Sequence, residues 1–395
     1  MTSRLPSGGT NKFQEIKRRT REAEDKGVKI YRLSIGQPLG PALLSARKAA
    51  AEAVMSDNES MHEYQDNGSP GVPDFAQRFV AAHLRTSIKD KKVAYLPTPG
   101  SKSMLEIVIL SCNLQEGELL GTMTDPGYPT PADQSEYLKV EHYALPTNQK
   151  NLFRFNTGDI KQDAKADQST KLLMLNLPHN PTGQIATRKW LENLCSHCER
   201  HGIRLFNDNP YQLLSHTTRS WTLTDVAVNF PNLSWAEAFS ASKIIGNGTG
   251  WRVGAIVGSE DFVADIATIK SNCDSGFAAP MAAGVLYAIE NDRASIEAIQ
   301  KTCAKRLKLL IDILSRHGIA LAIKPWAGFF VLCKVPKVAF GQRIKDAEEF
   351  NYLMIENTGV VGVHFGHYIR YSVTGDIEAM EEALDIAFGK AGVMY

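Results

Sequence analysis

The strongest constraint on how this chain folds lies between residues 93 and 257, where short apolar runs recur between longer helical patterns. Val93-Ala94-Tyr95-Leu96, Leu119-Leu120-Gly121-Thr122, Leu172-Leu173-Met174-Leu175, Ile203-Arg204-Leu205-Phe206 and Ala255-Ile256-Val257 each read as a buried strand. Amphipathic stretches at Met104–Leu114 and Arg188–His201 lie between them. Strands buried on both faces and alternating with helices predict an α/β fold, a mostly parallel sheet flanked by helices. In open sheets of that kind ligands bind beyond the carboxyl ends of the strands. Asp125, Asn180 and Asp208 each follow closely on one of the runs.

The texture changes after about residue 285. A long helical pattern covers Ala294–His317, followed by a strand at Phe329–Leu332, a helix near Asp346–Asn357, a strand at Ile369–Ser372 and a last helix over Ile377–Lys390. This order predicts a smaller α+β domain, joined by the N-terminal segment, whose Asn11–Gly27 stretch carries Phe13, Ile16 and Ala23 as a surface helix. At 395 residues the chain exceeds one ordinary core. The expected division is a large domain over 46–285 and a small domain built from 1–45 plus 286–395.

Charge and cysteine usage narrow the partners. The formal net charge is +1 with no long one-signed block, which argues against nucleic acid or an anionic membrane. No apolar run approaches the roughly 20 residues that span a bilayer, and Met1–Gly9 lacks the apolar stretch of a secretion signal. A cytoplasmic location is expected. Six scattered cysteines make no disulfide framework. Cys195-Ser196-His197-Cys198 with His201 lies in a helical pattern and lacks a second ligand pair, so no metal site is expected.

The chemistry gathers around Lys243 in Ser240-Ala241-Ser242-Lys243, with Gly250-Trp251-Arg252 a short loop further on. A lysine amine can condense with an aldehyde, and hydroxyls with an arginine fork can hold a phosphate. Gly100-Ser101-Lys102 precedes a helix whose free N–H groups suit the same phosphate. Asp208 can keep a pyridine nitrogen protonated, which makes the ring an electron sink. Tyr211 and Asn180 can donate to a ring oxygen, and Tyr128 in Asp125-Pro126-Gly127-Tyr128-Pro129 can stack on the ring. Arg370 lies inside an apolar strand, where a charge is costly unless paired. Its partner is either a substrate carboxylate, bound bidentately, or a structural salt bridge.

These residues together resemble the fold-type I pyridoxal-phosphate aminotransferases of class I/II, over essentially the whole chain from Gly36-Gln37-Pro38 to the C-terminal helix. Asn180-Pro181-Thr182-Gly183, Asp208 with Tyr211, Ser240-to-Lys243 and Gly250-Trp251-Arg252 occur in the family's order. The resemblance implies transfer of an amino group between an L-amino acid and a 2-oxo acid by a ping-pong route. Lys243, Asp208 and Tyr211 are the implied catalytic residues, and Arg370 the implied carboxylate clamp. Gly36 is implied at the substrate, and Tyr64 at the phosphate of a neighbouring subunit's cofactor, hence a homodimer with shared sites. Within the family, Lys102 and Asn272 are similar to substrate contacts of the LL-diaminopimelate aminotransferases, Asn272 reaching across subunits.

Three stretches depart from the family pattern. The loop from Lys243 to Arg252 is one residue longer than the family's usual spacing, Val360–Tyr368 is short and lacks the usual Pro-Gly turn, and no tyrosine precedes Tyr31. All lie at the substrate rim. The alternatives left open are a lyase, decarboxylase or cyclase on the same scaffold, and a non-catalytic cofactor-binding paralogue. Intact Lys243, Asp208 and Arg252, and the absence of a DNA-binding pattern before residue 30, speak against the last.

Overall fold

A computed structural model describes residues 12–163 and 168–395; Met1–Gly9 and the side chain of Phe13 lie outside them. The large sheet is built from β1 (Ala94–Thr98), β2 (Glu118–Thr122), β3 (His142–Ala144), β4 (Gln168–Leu175), β5 (Arg204–Asn209), β6 (Trp235–Ser240) and β7 (Gly254–Gly258). They run in the order β1-β7-β6-β5-β4-β2-β3, with Gln162–Asp163 pairing β4 as an eighth short strand. β3, β2, β4, β5 and β6 are parallel; β7 is antiparallel to both neighbours. The carboxyl ends of β4, β5 and β6 therefore share one edge.

Period-two alternation divides the side chains of these strands between two cores. Leu173, Leu175, Leu205, Phe239 and Val257 join one buried cluster, while Leu172, Met174, Phe206, Ala238 and Ile256 join another. Both faces must then be covered. One is capped by Leu191, Leu194, Cys195 and Cys198 of the helix Arg188–His201, which places these two cysteines in the core. The other is capped by Met104, Leu105 and Val108 of the helix Lys102–Cys112 and by Phe262 and Ile266 of the helix Glu260–Lys270. Each such side chain contributes on the order of 1.5–3 kcal/mol by leaving water.

The small sheet comprises β8 (Leu321–Ile323), β9 (Phe330–Lys334), β10 (Val363–Phe365) and β11 (Tyr368–Ser372), all antiparallel in the order β8-β9-β11-β10. The N-terminal segment packs beside this sheet without adding a strand to it. Tyr31–Arg32 pairs in parallel with Val360–Val361, and Ile16 and Ala23 of the first helix, Lys12–Asp25, pack with Ile355, Val363 and Phe365. Residues 45/46 and 285/286 fall inside the helices Leu44–Val54 and Ala279–Asn291, where Gly284 lies so close to Ala46 O that a Cβ would sit 2.4 Å from it.

The tie between Tyr31 and residue 360 depends on Gly359. It ends the helix Ala347–Thr358 in the left-handed region at φ 73°, and its carbonyl accepts from Tyr31 N at 2.8 Å. A Cβ there would sit 1.9 Å from Lys29 O. Gly359→Ala is therefore expected to cost at least about 1 kcal/mol and to lower the urea midpoint. An unchanged midpoint would mean that the Lys29–Tyr31 segment is not held against residue 359.

Candidate active site

Loops at the shared strand edge surround a cavity of about 840 Å³. Asn176 and Asn180 reach it from the loop after β4, Asp208 and Tyr211 from the end of β5, and Ser240, Ser242 and Lys243 from the end of β6. Ser101 and Lys102 come from the start of the helix Lys102–Cys112, and Tyr128 and Arg252 from two further loops. Arg370 and Phe365 are the small sheet's contribution, and Ser34 and Gly36 that of the N-terminal segment. Tyr64 and Asn272, and Asp125 at the end of its apolar run, are not among the residues that line this cavity. Tyr64 is 79% exposed, and Asn272, also exposed, bonds Thr268 O at 3.0 Å.

Burial sets the charge states. The Lys243 amine is brought down to about 8, chiefly by burial and then by Arg252, with Asp208 opposing. Burial pushes the Asp208 carboxyl up to about 6, against the pull of Ser101 and Lys243. The Tyr211 hydroxyl is driven further above its ordinary value by burial, so it remains a donor. Asp208 Oδ1 is buried and has no hydrogen-bond partner among the described residues. A buried carboxylate oxygen left open beside a depressed lysine is prepared for a ligand's N–H rather than for the protein.

At the other end hydroxyls and N–H groups converge. Ser240 Oγ donates to Ser242 Oγ at 3.0 Å, and Ser101, which makes no side-chain cap bond, lines the cavity with Lys102 and Ser103 at the N-terminus of the helix Lys102–Cys112. Arg252 lies against Gly100, whose φ is +81° and whose absent Cβ would meet Arg252 Nη2 at 2.4 Å. The glycine is what lets the guanidinium approach. Hydroxyls, helix N–H groups and an arginine make an anion cup.

Arg370 is 4% exposed and has no carboxylate partner among the described residues, so the salt-bridge alternative is absent there. Its Nη1 donates to Asn180 Oδ1 at 2.9 Å, its Nη2 to Ser34 O at 2.9 Å, and its Nε is buried without a partner. The rings of Phe330 and Phe365 lie 4.2 and 5.4 Å from its Cζ. Burial lowers it to about 10. A buried guanidinium held only by neutral groups is a standing demand for an anion.

Several contributors escaped the sequence reading. Asn176 donates through Nδ2 to Asp208 O at 2.9 Å and accepts from Asn180 N at 3.0 Å, linking two strand ends. Gln134 lines the cavity, and its buried Oε1 has no partner among the described residues. Phe365 arrives from a strand remote in sequence. Asn176 alone had a usable signal, a polar residue closing an apolar run four positions before Asn180. His364 and His367 do not line the cavity.

A profile of the family "Aminotransferase class I and II" matches residues 28–386. The chain belongs to the class I and II aminotransferases. It is 30% identical over 386 residues to an LL-diaminopimelate aminotransferase of Syntrophobacter fumaroxidans, covering 94% of each. It is 28% identical over 367 residues to that of Methanocaldococcus jannaschii, covering 91% of this chain and 84% of the relative. Among solved structures, substrate-bound BacF of Bacillus subtilis matches with a TM-score of 0.83 at 20% identity, over 100% of this chain and 99% of that one. Thermus thermophilus aspartate aminotransferase with maleate matches at 0.78 and 19%, over 97% and 99%; both likenesses speak for the fold.

This aminotransferase depends on pyridoxal phosphate, and the cavity suits that group. The open Asp208 oxygen answers a ring N–H, the depressed Lys243 an aldehyde and the anion cup a phosphate. Among the described residues no helix is long and apolar enough to cross a membrane.

The lowered amine of Lys243 fixes a pH dependence. Its nucleophilic neutral form predominates above about 8 and falls about tenfold per unit below it. The rate at which apoprotein captures pyridoxal phosphate, followed by stopped-flow absorbance, should therefore climb through pH 6–7 and flatten above about 8. A rate still climbing beyond about pH 9.5 would place the amine at its ordinary value and contradict the burial account.

Proposed function

We propose that this aminotransferase moves the amino group of an L-amino acid with a second polar end, of the LL-diaminopimelate kind, to a 2-oxo acid such as 2-oxoglutarate. The single observation carrying the reading is the pairing, across one cavity, of the depressed amine of Lys243 with the uncompensated guanidinium of Arg370. Arg370 binds the substrate α-carboxylate, which satisfies its orphan Nε and brings the α-carbon to Lys243. When bound, pyridoxal phosphate supplies an aldehyde to take up the amino group and a protonated ring that draws electrons from the α-carbon. Nζ of Lys243 is placed to take the proton from the α-carbon and would deliver it to the C4′ carbon of the bound cofactor, so that the amino group stays with the cofactor and a 2-oxo acid is released by hydrolysis. Asp208 keeps the ring nitrogen protonated, and Tyr211 and Asn180 orient the ring by hydrogen bonds while Tyr128 packs on its face. Ser101, Ser240, Ser242 and Arg252 hold the phosphate, and Lys102 assists at the exposed rim. Gly36, whose absent Cβ would lie 3.9 Å from Arg370 Nη2, leaves room for the substrate.

The LL-diaminopimelate class is supported by the names of the relatives and by two rim groups that could meet a distal end. Lys102 is an exposed cation for a distal carboxylate, and Gln134 carries an unpartnered acceptor for a distal ammonium. The enzyme works as a homodimer, with Tyr64 and Asn272 of each chain completing the cavity of the other. Their exposure on one chain supports that role. Residues 46–285 form the cofactor-binding unit and 1–45 with 286–395 the smaller one. The location is cytoplasmic.

Single amino acids added to holoenzyme should bleach the visible absorption of the cofactor, and a 2-oxo acid should restore it. LL-diaminopimelate with 2-oxoglutarate is expected to be among the fastest pairs. A band that decays and is restored by no 2-oxo acid would sink the transfer reading. Lys243→Ala should bind pyridoxal phosphate without forming a borohydride-reducible link and lose at least about 10²-fold in kcat. Arg370→Lys gives up the bidentate grip at a cost of about 2 kcal/mol, so kcat/KM should fall roughly 30-fold; wild-type kinetics in that variant would move the carboxylate elsewhere.

A further inference from the structure

A second buried carboxylate lies behind the site. Glu237, in the middle of β6, is 0% exposed. Its Oε1 accepts from Asn207 Nδ2 at 2.7 Å and Asn209 Nδ2 at 2.8 Å; its Oε2 accepts from Thr224 N and Thr224 Oγ1, both at 2.7 Å. Every partner is a donor, and no cation pairs with it among the described residues. Three of the four partners are N–H groups that can only donate, so both carboxyl oxygens must accept there, while the Thr224 hydroxyl can serve either role. Burial pushes the Glu237 carboxyl above its ordinary value and these bonds pull it back. Four donors around one carboxylate also offset the cost of burying its charge.

The donors are significant for what lies between them. Asn207 and Asn209 flank Asp208 on β5, and strand alternation puts their side chains on the face opposite to that of Asp208. Asn207 further bonds both the N and the O of Leu177, at 2.9 Å each, and so holds the loop that carries Asn176 and Asn180. Among the described residues Asn209 Oδ1 is buried without a partner, and the bond its side-chain amide makes is the one to Glu237. The ionisable groups facing Asp208 are Lys243 and Tyr211, and Cys195 faces Glu237.

We propose that Glu237 is a positioning residue for the reaction: through these four bonds it clamps both neighbours of Asp208 and, by way of Asn207, the Leu177 loop, and so fixes where the Asp208 carboxylate and the Asn180 amide meet the cofactor. The proposal rests on the reading of Asp208 as the partner of the ring nitrogen. Glutamine cannot replace Glu237, because its amide nitrogen would face a donor instead of accepting from one.

The test compares holoenzyme of wild type, Glu237→Gln, Asn209→Ala and Asp208→Asn by thermal melting, by the pH midpoint of the cofactor's visible absorption, and by kcat and KM. Glu237→Gln is expected to move the absorption midpoint by about one pH unit and lower kcat about tenfold. KM for the amino acid, set at Arg370, should change less than about threefold. Asn209→Ala should shift both quantities the same way by less, and it decides the matter if Glu237→Gln does not fold. A lower melting temperature with wild-type midpoint and kcat in the folded variants would overturn the proposal and leave Glu237 a purely structural group. If Asp208→Asn itself retains wild-type midpoint and kcat, the Asp208 reading fails. If Asp208→Asn is impaired while Glu237→Gln and Asn209→Ala are not, the clamp alone fails.

Discussion

An excess of positive charge that the protein does not neutralise organises this molecule. Lys243, Arg252 and Arg370 line one cavity, and Asp208 is the carboxylate that faces them among the residues lining it. Lys243 responds by releasing its proton more easily, the expected answer of an amine taken out of water beside other cations. Arg370 cannot follow far, because guanidinium holds its proton even when burial lowers it to about 10. The remaining imbalance has two remedies, a phosphate at one end and a carboxylate at the other. A group that binds only the folded state and supplies them stabilises the fold by mass action. The cavity's demand for anions at both ends is thus one unfinished charge balance.

The sheet is what allows such unfavourable groups to be held close together. Parallel β4, β5 and β6 end at one edge, so three successive strand ends and the segments that follow them deliver Asn180, Asp208 and Lys243 to the same cavity. Below that edge both faces are apolar and packed, with Leu172, Leu173, Leu205, Phe206, Ala236 and Ala238 fully buried. Rigid packing there offsets the strain and desolvation at the strand ends. Arg370 enters from an independent sheet and Ser34 from the N-terminal segment, so the far wall depends on the junction at Gly359 and Tyr31.

The fold was legible in the sequence where hydrophobic period and strand burial agree. The helix Arg188–His201 ends where its pattern does, because Gly202 at φ 60° stops it. The five apolar runs are strands, yet β6, which delivers Lys243, went unread. Trp235-Ala236-Glu237-Ala238-Phe239 carries a charge at its centre, and a charge in an apolar run speaks against a buried strand unless its partners are visible. Those partners, Asn207, Asn209 and Thr224, lie on other elements. Most of the polar residues that line the cavity were legible, because the order of strand ends brings their stretches of sequence to one edge. Phe365, Ser34 and Gln134 were not, since nothing local marks a residue that another segment will bring to a cavity.

Glu237 and Arg370 give the same sequence signal, a lone charge in an apolar strand, and the structure resolves them in opposite ways. Glu237 finds four protein donors and is complete without any ligand. Arg370 finds two acceptors for five donors, and one of the remaining three is buried at the cavity wall. What separates a structural charge from a functional one is therefore the number of hydrogen-bonding positions left open after the chain has folded. By that measure Asp208, with one oxygen open, stands with Arg370. The two faces of the sheet divide accordingly, the closed network of Glu237 behind β5 holding steady the open group in front.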